Sequence, residues 1–218
     1  MTFLIIGAGR FGSRAVNVLL KNDSNAPITL VDSNPDRLRP WEGRIDTILA
    51  DGIDFLLRRL KNTEAPAMPE WIVPAIPVHI AYEWIRHTLG IRLDLLSVPV
   101  PETLDSFLPN PIRGRKGELY VSHAATLCPE DCPAPSDWCT STGKPRGIDV
   151  FKMLQQVTLA GHRSVVVRSL QLAPGVGGYQ ARALFDARRE IGLDKGRVLI
   201  STACRCHGVV HALRITEK

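Results

Sequence analysis

Short runs of apolar, often branched side chains alternate with amphipathic segments along this chain. Residues 2–6 are apolar and end at a glycine, which predicts a buried parallel strand, and residues 10–21 repeat apolar side chains at helical spacing. The same alternation predicts strands at 28–31, 45–50, 71–77 and 93–98 and helices at 55–60 and 78–89. This order predicts an α/β fold with a doubly wound, parallel, Rossmann-like sheet and right-handed crossovers.

A proline-rich, basic stretch at residues 99–117 interrupts the alternation. Beyond it, apolar runs predict strands at 119–123, 164–172 and 197–203 and helices at 148–160 and 179–191, while residues 204–215 fit neither pattern. We therefore predict a dinucleotide-binding domain over residues 1–98, a linker or long connection over 99–117, and a cysteine-containing α/β region over 118–218. That region either extends the first sheet or forms a small second domain, and the pattern leaves both open.

The first predicted strand leads into a glycine-rich turn that is typical of dinucleotide sites. Gly7 permits the tight turn, Gly9 lets the backbone approach a pyrophosphate, and Gly12 lets helix and strand pack closely. Free N–H groups at the start of the helix then face the phosphates. Asp32 ends the second strand about 20 residues further on, where a carboxylate accepts hydrogen bonds from ribose hydroxyls and disfavours a 2′-phosphate. The sequence therefore predicts NAD as the ligand, and nearby arginines keep NADP open. The alternative is a turn of the same shape that has lost its ligand.

Three segments of the first half carry a more specific resemblance: Phe3-Leu-Ile-Ile-Gly-Ala-Gly-Arg-Phe-Gly12, Leu30-Val-Asp32 and Ala50-Asp-Gly-Ile-Asp54. They resemble the N-terminal NAD-binding domain of the Trk potassium-uptake regulators, the TrkA-N type that is also called the RCK or KTN domain. The resemblance covers about residues 1–98 and implies nucleotide binding by the turn, including Arg10 and Phe11. It also implies that Asp51 lies near the adenine. The second half does not resemble the ligand-binding domain that usually follows in that family.

All five cysteines fall into two groups. Cys128, Cys132 and Cys139 lie in one proline-rich stretch, and Cys204 and Cys206 form a C-x-C pair whose side chains share one face in extended backbone. Both groups follow predicted strands, and if those strands are parallel in one sheet, the groups emerge at the same edge. Four thiolates suit tetrahedral zinc or an iron–sulfur cluster, and this spacing is diagnostic of neither. The alternatives are thiols that bind no metal, thiols that are redox-active and thiols that are simply buried in the core.

Two histidines and a second glycine-rich turn accompany the cysteines. His123 and His207 flank the two groups, either as further ligands or as ordinary loop residues. The turn at residues 174–178 precedes the helix predicted at 179–191. That order favours either an anion-binding turn or a tight turn that merely needs glycine.

Charge and composition exclude several classes of function. The chain of 218 residues has 27 basic and 22 acidic residues, a net charge of +5, and its basic residues are scattered, so no nucleic-acid-binding face is expected. No apolar run is long enough to span a bilayer, and the first strand begins at residue 2, which leaves no room for a signal peptide. We therefore expect a cytoplasmic protein. No Ser-His-Asp set, paired-carboxylate motif or HExxH motif supports hydrolysis.

Two functions fit these features. The first is an NAD(H)-binding, redox-related or redox-sensing protein whose cysteines hold a metal or an iron–sulfur cluster; a shared site then requires Cys128 and Cys204 to lie close together. The second is a regulatory nucleotide-binding module with structural zinc, whose partner is a redox or membrane-transport protein, a homodimer being an open alternative. NADH delivers a hydride, whereas common clusters accept one electron and no flavin signature is present. The sequence therefore does not predict a complete NADH oxidoreductase.

Overall fold

Two sheets and six α-helices form the parts of the chain that the computed structural model describes, residues 1–61, 68–193 and 195–217. The strands are β1 (Phe3–Ile6), β2 (Ile28–Asp32), β3 (Asp46–Leu49), β4 (Trp71–Pro74), β5 (Leu93–Val98), β6 (Ile112–Arg113), β7 (Leu119–Ser122), β8 (His162–Arg168), β9 (Leu170–Ala173), β10 (Val176–Gln180), β11 (Gly196–Ala203) and β12 (His207–Glu217). The helices are α1 (Arg10–Asn22), α2 (Pro35–Leu38), α3 (Gly52–Arg59), α4 (Ile80–Leu89), α5 (Val150–Gln155) and α6 (Ala181–Gly192).

The first sheet has the strand order β3-β2-β1-β4-β10-β9. Strands β1 to β4 are parallel, as the alternation of strands and helices predicts, and β1 lies between β2 and β4. The chain order reverses at this point, so the carboxyl ends of β1 and β4 flank the crevice in which doubly wound sheets bind ligands. The α/β, Rossmann-like fold predicted from the sequence is therefore confirmed, and β10 and β9 extend its sheet in antiparallel pairing.

The second sheet is mostly antiparallel, in the order β6-β7-β12-β11-β8, and β5 also pairs with β12. The prediction that residues 93–98 form a fifth parallel strand of the first sheet is therefore wrong. β8 and β11 are parallel, whereas β12 is antiparallel to both β11 and β7. β7 and β11 consequently run in the same direction on either side of β12. Their carboxyl ends, after which the two cysteine groups follow, emerge at one edge of this sheet.

Two other expectations about the second half are corrected. The single strand predicted at 164–172 is two strands in different sheets, because the chain leaves the second sheet after β8 and enters the first at β9. The turn at 174–178 leads into strand β10, and helix α6 begins only at Ala181. This turn therefore joins an antiparallel β-hairpin and does not precede a helix directly.

The buried side chains form a layered core. A first cluster packs α1 and α2 against one face of the first sheet, through residues such as Ile5, Val16 and Leu30. A second cluster, which includes Ile72, Trp84 and Val198, fills the space between the two sheets around α3, α4 and α6. A third cluster packs α5 against the outer face of the second sheet. Helices α3, α4 and α6 thus pack between the two sheets.

Strands from both sides of residues 99–117 contribute to each sheet. β5 joins the second sheet, while β9 and β10 join the first. The predicted division at residues 1–98, 99–117 and 118–218 stays a prediction about independent folding. Within the described ranges, no helix is both long and apolar enough to cross a membrane.

Candidate functional site

The glycine turn after β1 has the geometry that a dinucleotide requires. Gly7 adopts a φ of +105°, and a Cβ there would lie 2.6 Å from the carbonyl oxygen of Ala75. A Cβ on Gly12 would collide with the carbonyl oxygen of Gly7, so helix α1 approaches the strand as closely as the backbone allows. A Cβ on Gly9, by contrast, would meet no atom within 4 Å. This open space at the start of α1 is where a pyrophosphate fits, and the residues present therefore suit a dinucleotide.

The two predicted acidic residues lie beside this turn. Asp32 is buried at the end of β2, and its carboxylate accepts hydrogen bonds from the N–H groups of Ala8 (2.7 Å) and Asn34 (2.8 Å). The guanidinium of Arg37 lies 3.8 Å from the same carboxylate. Asp51 caps helix α3 by accepting bonds from two backbone N–H groups. Asp32 therefore joins the turn to β2, and each of its oxygens keeps a lone pair for a ribose hydroxyl.

The loop that carries Cys128, Cys132 and Cys139 lies over the carboxyl edge of the first sheet. Glu130 forms an ion pair with Arg10, the first residue of α1. The carbonyl oxygen of Cys132 accepts hydrogen bonds from the Gly175 N–H (3.2 Å) and from the side chain of Gln171 (2.6 Å). A Cβ on Gly175 would collide with the carbonyl oxygen of Glu130. The cysteine loop therefore covers Gly175 and engages its N–H group, which favours the tight turn over the anion-binding turn.

The two cysteine groups meet at the imidazole of His207. The Cys128 Sγ lies 3.4 Å from Nε2 of this ring, and the Cys204 Sγ lies 3.8 Å from its Nδ1. Cys132 contacts the hydroxyl of Thr140 at 2.9 Å. Burial raises the pKa of the Cys128 thiol, and the neighbouring thiols raise it further. His207 therefore joins the two groups, whereas His123 bonds to the backbone of Ile148.

The surroundings of the C-x-C pair lower the pKa of its first thiol and favour the thiolate form. A hydrogen bond from the Cys206 thiol is the largest cause that lowers the pKa of Cys204, to about 4, and His207 contributes as well. The N–H groups of Cys206 and His207 both lie 3.3 Å from the Cys204 Sγ. The pKa of Cys206 is raised, because its thiol donates to Cys204 and because it is buried. A thiolate in such a cradle of donors is the reactive form of cysteine.

Arg146 extends this cluster to the remaining thiol. Its guanidinium acts on both Cys206 and Cys139 and favours their ionised forms. A hydrogen bond from Thr142 is the main cause of the lowered pKa of Cys139. In the described ranges, however, no set of three or more His, Cys, Asp or Glu side chains is arranged to hold a metal ion. The donor chemistry suits zinc or iron–sulfur, but the side chains as positioned do not form a ligand set.

One cavity of about 800 Å³ connects the nucleotide turn with the thiols. Arg10 and Phe11 form one wall, and Gly175 and Gly177 form another. Four of the five cysteines line it as well: Cys128, Cys132, Cys204 and Cys206. Cys139 instead lines a smaller pocket on the far side of Cys206. The sites predicted separately from the glycines and from the cysteines therefore share one space.

A second cavity of about 480 Å³ lies between the two sheets and shares Cys204 and His207 with the first. His79, which precedes α4, lines it and contacts Thr202 of β11 (2.8 Å) and His211 of β12 (3.0 Å). The sequence pattern does not single out these residues. Only His79 carried a signal, since it closely follows the end of β4, where α/β sheets place functional side chains.

Known proteins match both halves of the chain. Residues 3–66 match the TrkA-N domain, which confirms the resemblance found in the first half. Residues 81–216 match a family described as an uncharacterized protein, C-terminal domain. A protein of Archaeoglobus fulgidus, itself described as an uncharacterized protein, is 32% identical over 97% of this chain and 98% of its own length. The chain therefore belongs to the family of proteins that carry this C-terminal domain, and its residues 3–66 match the TrkA-N domain.

Proposed function

We propose that this protein binds NAD(H) across the carboxyl edge of the first sheet, with the nicotinamide end directed toward the thiol-lined cavity. The single observation that carries the proposal is the wall of that cavity, which includes both the start of α1 and four cysteines. The adenine end would lie on the β2 side, near Asp32 and Asp51. The nicotinamide end of a dinucleotide then extends to the β4 side, where the thiols are.

Within this proposal, each residue of the turn has a definite task. The space beside Gly9 receives the pyrophosphate, and the free N–H groups at the start of α1 bind it. The carboxylate of Asp32 accepts the ribose hydroxyls and repels a 2′-phosphate, which favours NAD over NADP. Arg10 and Phe11 line the path toward the thiols.

Equilibrium binding tests this part of the proposal. Titration of the protein with NADH and with NADPH, followed by nucleotide fluorescence, is expected to show tighter binding of NADH. The variant Asp32→Ala should narrow or abolish that preference, since the repelling carboxylate is gone. A protein that binds neither nucleotide, or that binds NADPH more tightly, would contradict the assignment.

We also propose that Cys128, Cys132, Cys139, Cys204 and Cys206 supply the ligands of a redox-related iron–sulfur cluster or zinc site. The support is that His207 contacts Cys128 and Cys204, that Arg146 acts on Cys139 and Cys206, and that Cys132 lines the same cavity as Cys128. Closing a ligand set would require the cysteine loop to shift. The test is metal and acid-labile sulfide analysis after oxygen-free purification. Brown protein with iron and sulfide supports a cluster, one zinc per chain supports zinc, and metal-free protein with five titratable thiols refutes both.

A regulatory module is the second candidate, favoured by the TrkA-N match. In this case the nucleotide controls association with a transport or redox protein or with a second copy of the chain, in the cytoplasm, and the thiols serve as structural zinc ligands or as a sensor. Sedimentation with and without NADH tests the homodimer. A change of association state with NADH, in colourless protein that contains zinc, favours this candidate over a redox protein with a cluster.

A further inference from the structure

The second sheet opens its own carboxyl edge into the thiol-lined cavity. Its two parallel strands end side by side, with Arg168 of β8 paired in register with Ala203 of β11. The next residues, Ser169 and Cys204, line the cavity together with Arg168 and Arg205. Carboxyl edges of parallel strands are where α/β proteins bind ligands. The cavity thus lies between two such edges, and the nucleotide turn occupies only one of them.

Arg168 lies in the walls of two pockets, the thiol-lined cavity and a smaller pocket that also includes Asp186 and Glu190 of α6. Its guanidinium lies 4.2 Å from the ring centre of Phe151, which is buried and therefore fixed. Stacking covers one face of the guanidinium and leaves its N–H edges free for two parallel hydrogen bonds. No acidic side chain in the described ranges forms an ion pair with it. By comparison, Arg10 is paired with Glu130 and Arg205 lies 4.0 Å from Asp149.

The charges around the cavity indicate which ligands it attracts. Its described wall residues include three arginines, Arg10, Arg168 and Arg205, and two acidic groups, the Glu130 carboxylate and the Cys204 thiol. The cavity between the sheets has no Asp, Glu, Lys or Arg in its wall. A cleft with an excess of one charge raises the local concentration of the opposite ion. The thiol-lined cavity therefore favours anions, and the unpaired Arg168 is the group that best fits one.

We propose that Arg168 binds the carboxylate or phosphate group of a small second ligand at the carboxyl edge of the second sheet. The bound anion would lie at the carboxyl end of β8 and face the nucleotide turn across the cavity. Two parallel N–H···O bonds from one guanidinium match either group, because both present two oxygens in one plane. This site goes beyond the proposed function and does not require that NAD(H) binds.

Phosphorus NMR titration with inorganic phosphate tests the site, with malonate as the carboxylate probe and chloride at equal ionic strength as the blank. The Kd for phosphate should rise about tenfold or more in Arg168→Gln, since a charge-assisted bond pair is lost. Arg168→Lys should recover only part of the affinity, because an ammonium group cannot form the bidentate pair. The matched control is Arg182→Gln on the exposed side of α6, which should bind phosphate like the unaltered protein.

A second arm separates this site from the pyrophosphate site. Phosphate is titrated again in the presence of saturating ADP-ribose, which carries the dinucleotide's phosphates without the nicotinamide. An unchanged phosphate Kd supports a separate site at Arg168. Competition between the two ligands, equal phosphate binding by all four proteins, or no phosphate binding overturns the proposal. If the protein binds phosphate but not NADH, the nucleotide assignment is refuted and the phosphate titrations still test the site at Arg168.

Discussion

At the scale of single residues, the three glycines of the nucleotide turn have different physical tasks although they share one motif. Gly12 is required by the fold, because any side chain there collides with Gly7, whereas the space beside Gly9 is empty in the protein itself. We expect Gly9→Ala to fold with nearly unchanged stability and to lose NADH affinity by tenfold or more, since the methyl group occupies the pyrophosphate space. Fluorescence titration and urea unfolding measure the two effects separately.

Two matched variants make this prediction specific. Gly147→Ala adds a methyl group where no atom lies within 4 Å and where φ is not positive, so it should alter neither folding nor binding. Gly12→Ala should lower the free energy of unfolding strongly, by several kcal/mol, because backbone must move. Tight NADH binding by Gly9→Ala would show that the open space is not a ligand site.

Some residues of the site could be predicted from the sequence and others could not. The glycines and Asp32 were recognisable because local spacing alone creates their geometry. The roles of His207, Arg146 and Arg168 were not predictable, because each depends on strands that are distant in sequence and meet only in the fold. The spacing of the cysteines likewise predicted two groups at one edge, while their contact through a single imidazole required the observed strand order.

At the scale of elements, the cysteine loop is held in place by the β9–β10 turn. Gly175 has a φ of +72° and lies directly under Glu130, so an alanine there is both strained and obstructed by the loop. We expect Gly175→Ala to displace the loop and to increase the rate at which iodoacetamide modifies Cys132. Gly177→Ala is the control, since its Cβ would meet the Ser169 hydroxyl at 3.3 Å and the Leu170 carbonyl oxygen at 4.0 Å, without a collision. Equal modification rates in the two variants would mean that the turn does not hold the loop.

The elements themselves were largely predictable, but their partners were not. Apolar runs identified the strand at 93–98 correctly as a strand, yet the run says nothing about which neighbour it pairs with, and β5 joins β12. Residues 164–172 read as one strand although β8 and β9 belong to different sheets, because the short break at Ser169 does not interrupt the apolar pattern. Pairing is decided by long-range packing of side chains that a local pattern does not contain.

At the scale of the whole molecule, exchange of strands makes the two halves depend on each other. A fragment of residues 1–98 would lack β10, the antiparallel neighbour of β4, and would leave β5 without β12. It would also expose the central core that the two sheets share. We expect this fragment to lack cooperative urea unfolding by circular dichroism, whereas the full chain unfolds in one transition. A fragment with native-like helix content and a sharp transition would instead support independent domains.

The contact between the two sheets should also make stability depend on pH. His79 and His211 join the start of α4 to β12, with their Nδ1 atoms 3.0 Å apart. Burial lowers the pKa of both imidazoles below the ordinary 6.5. For His211, the carboxylates of Glu118 and Glu83 raise the pKa and Lys116 lowers it further. The unfolded chain therefore binds more protons than the folded protein below about pH 6.5. The free energy of unfolding should keep its full value above that pH and should decrease at lower pH, by up to about 1.4 kcal/mol per pH unit for each proton. Urea unfolding of the double variant His79→Gln/His211→Gln should show a flatter decline, and His162→Gln should keep the original slope. Parallel slopes in the unaltered protein and the double variant would exclude this pair as the cause.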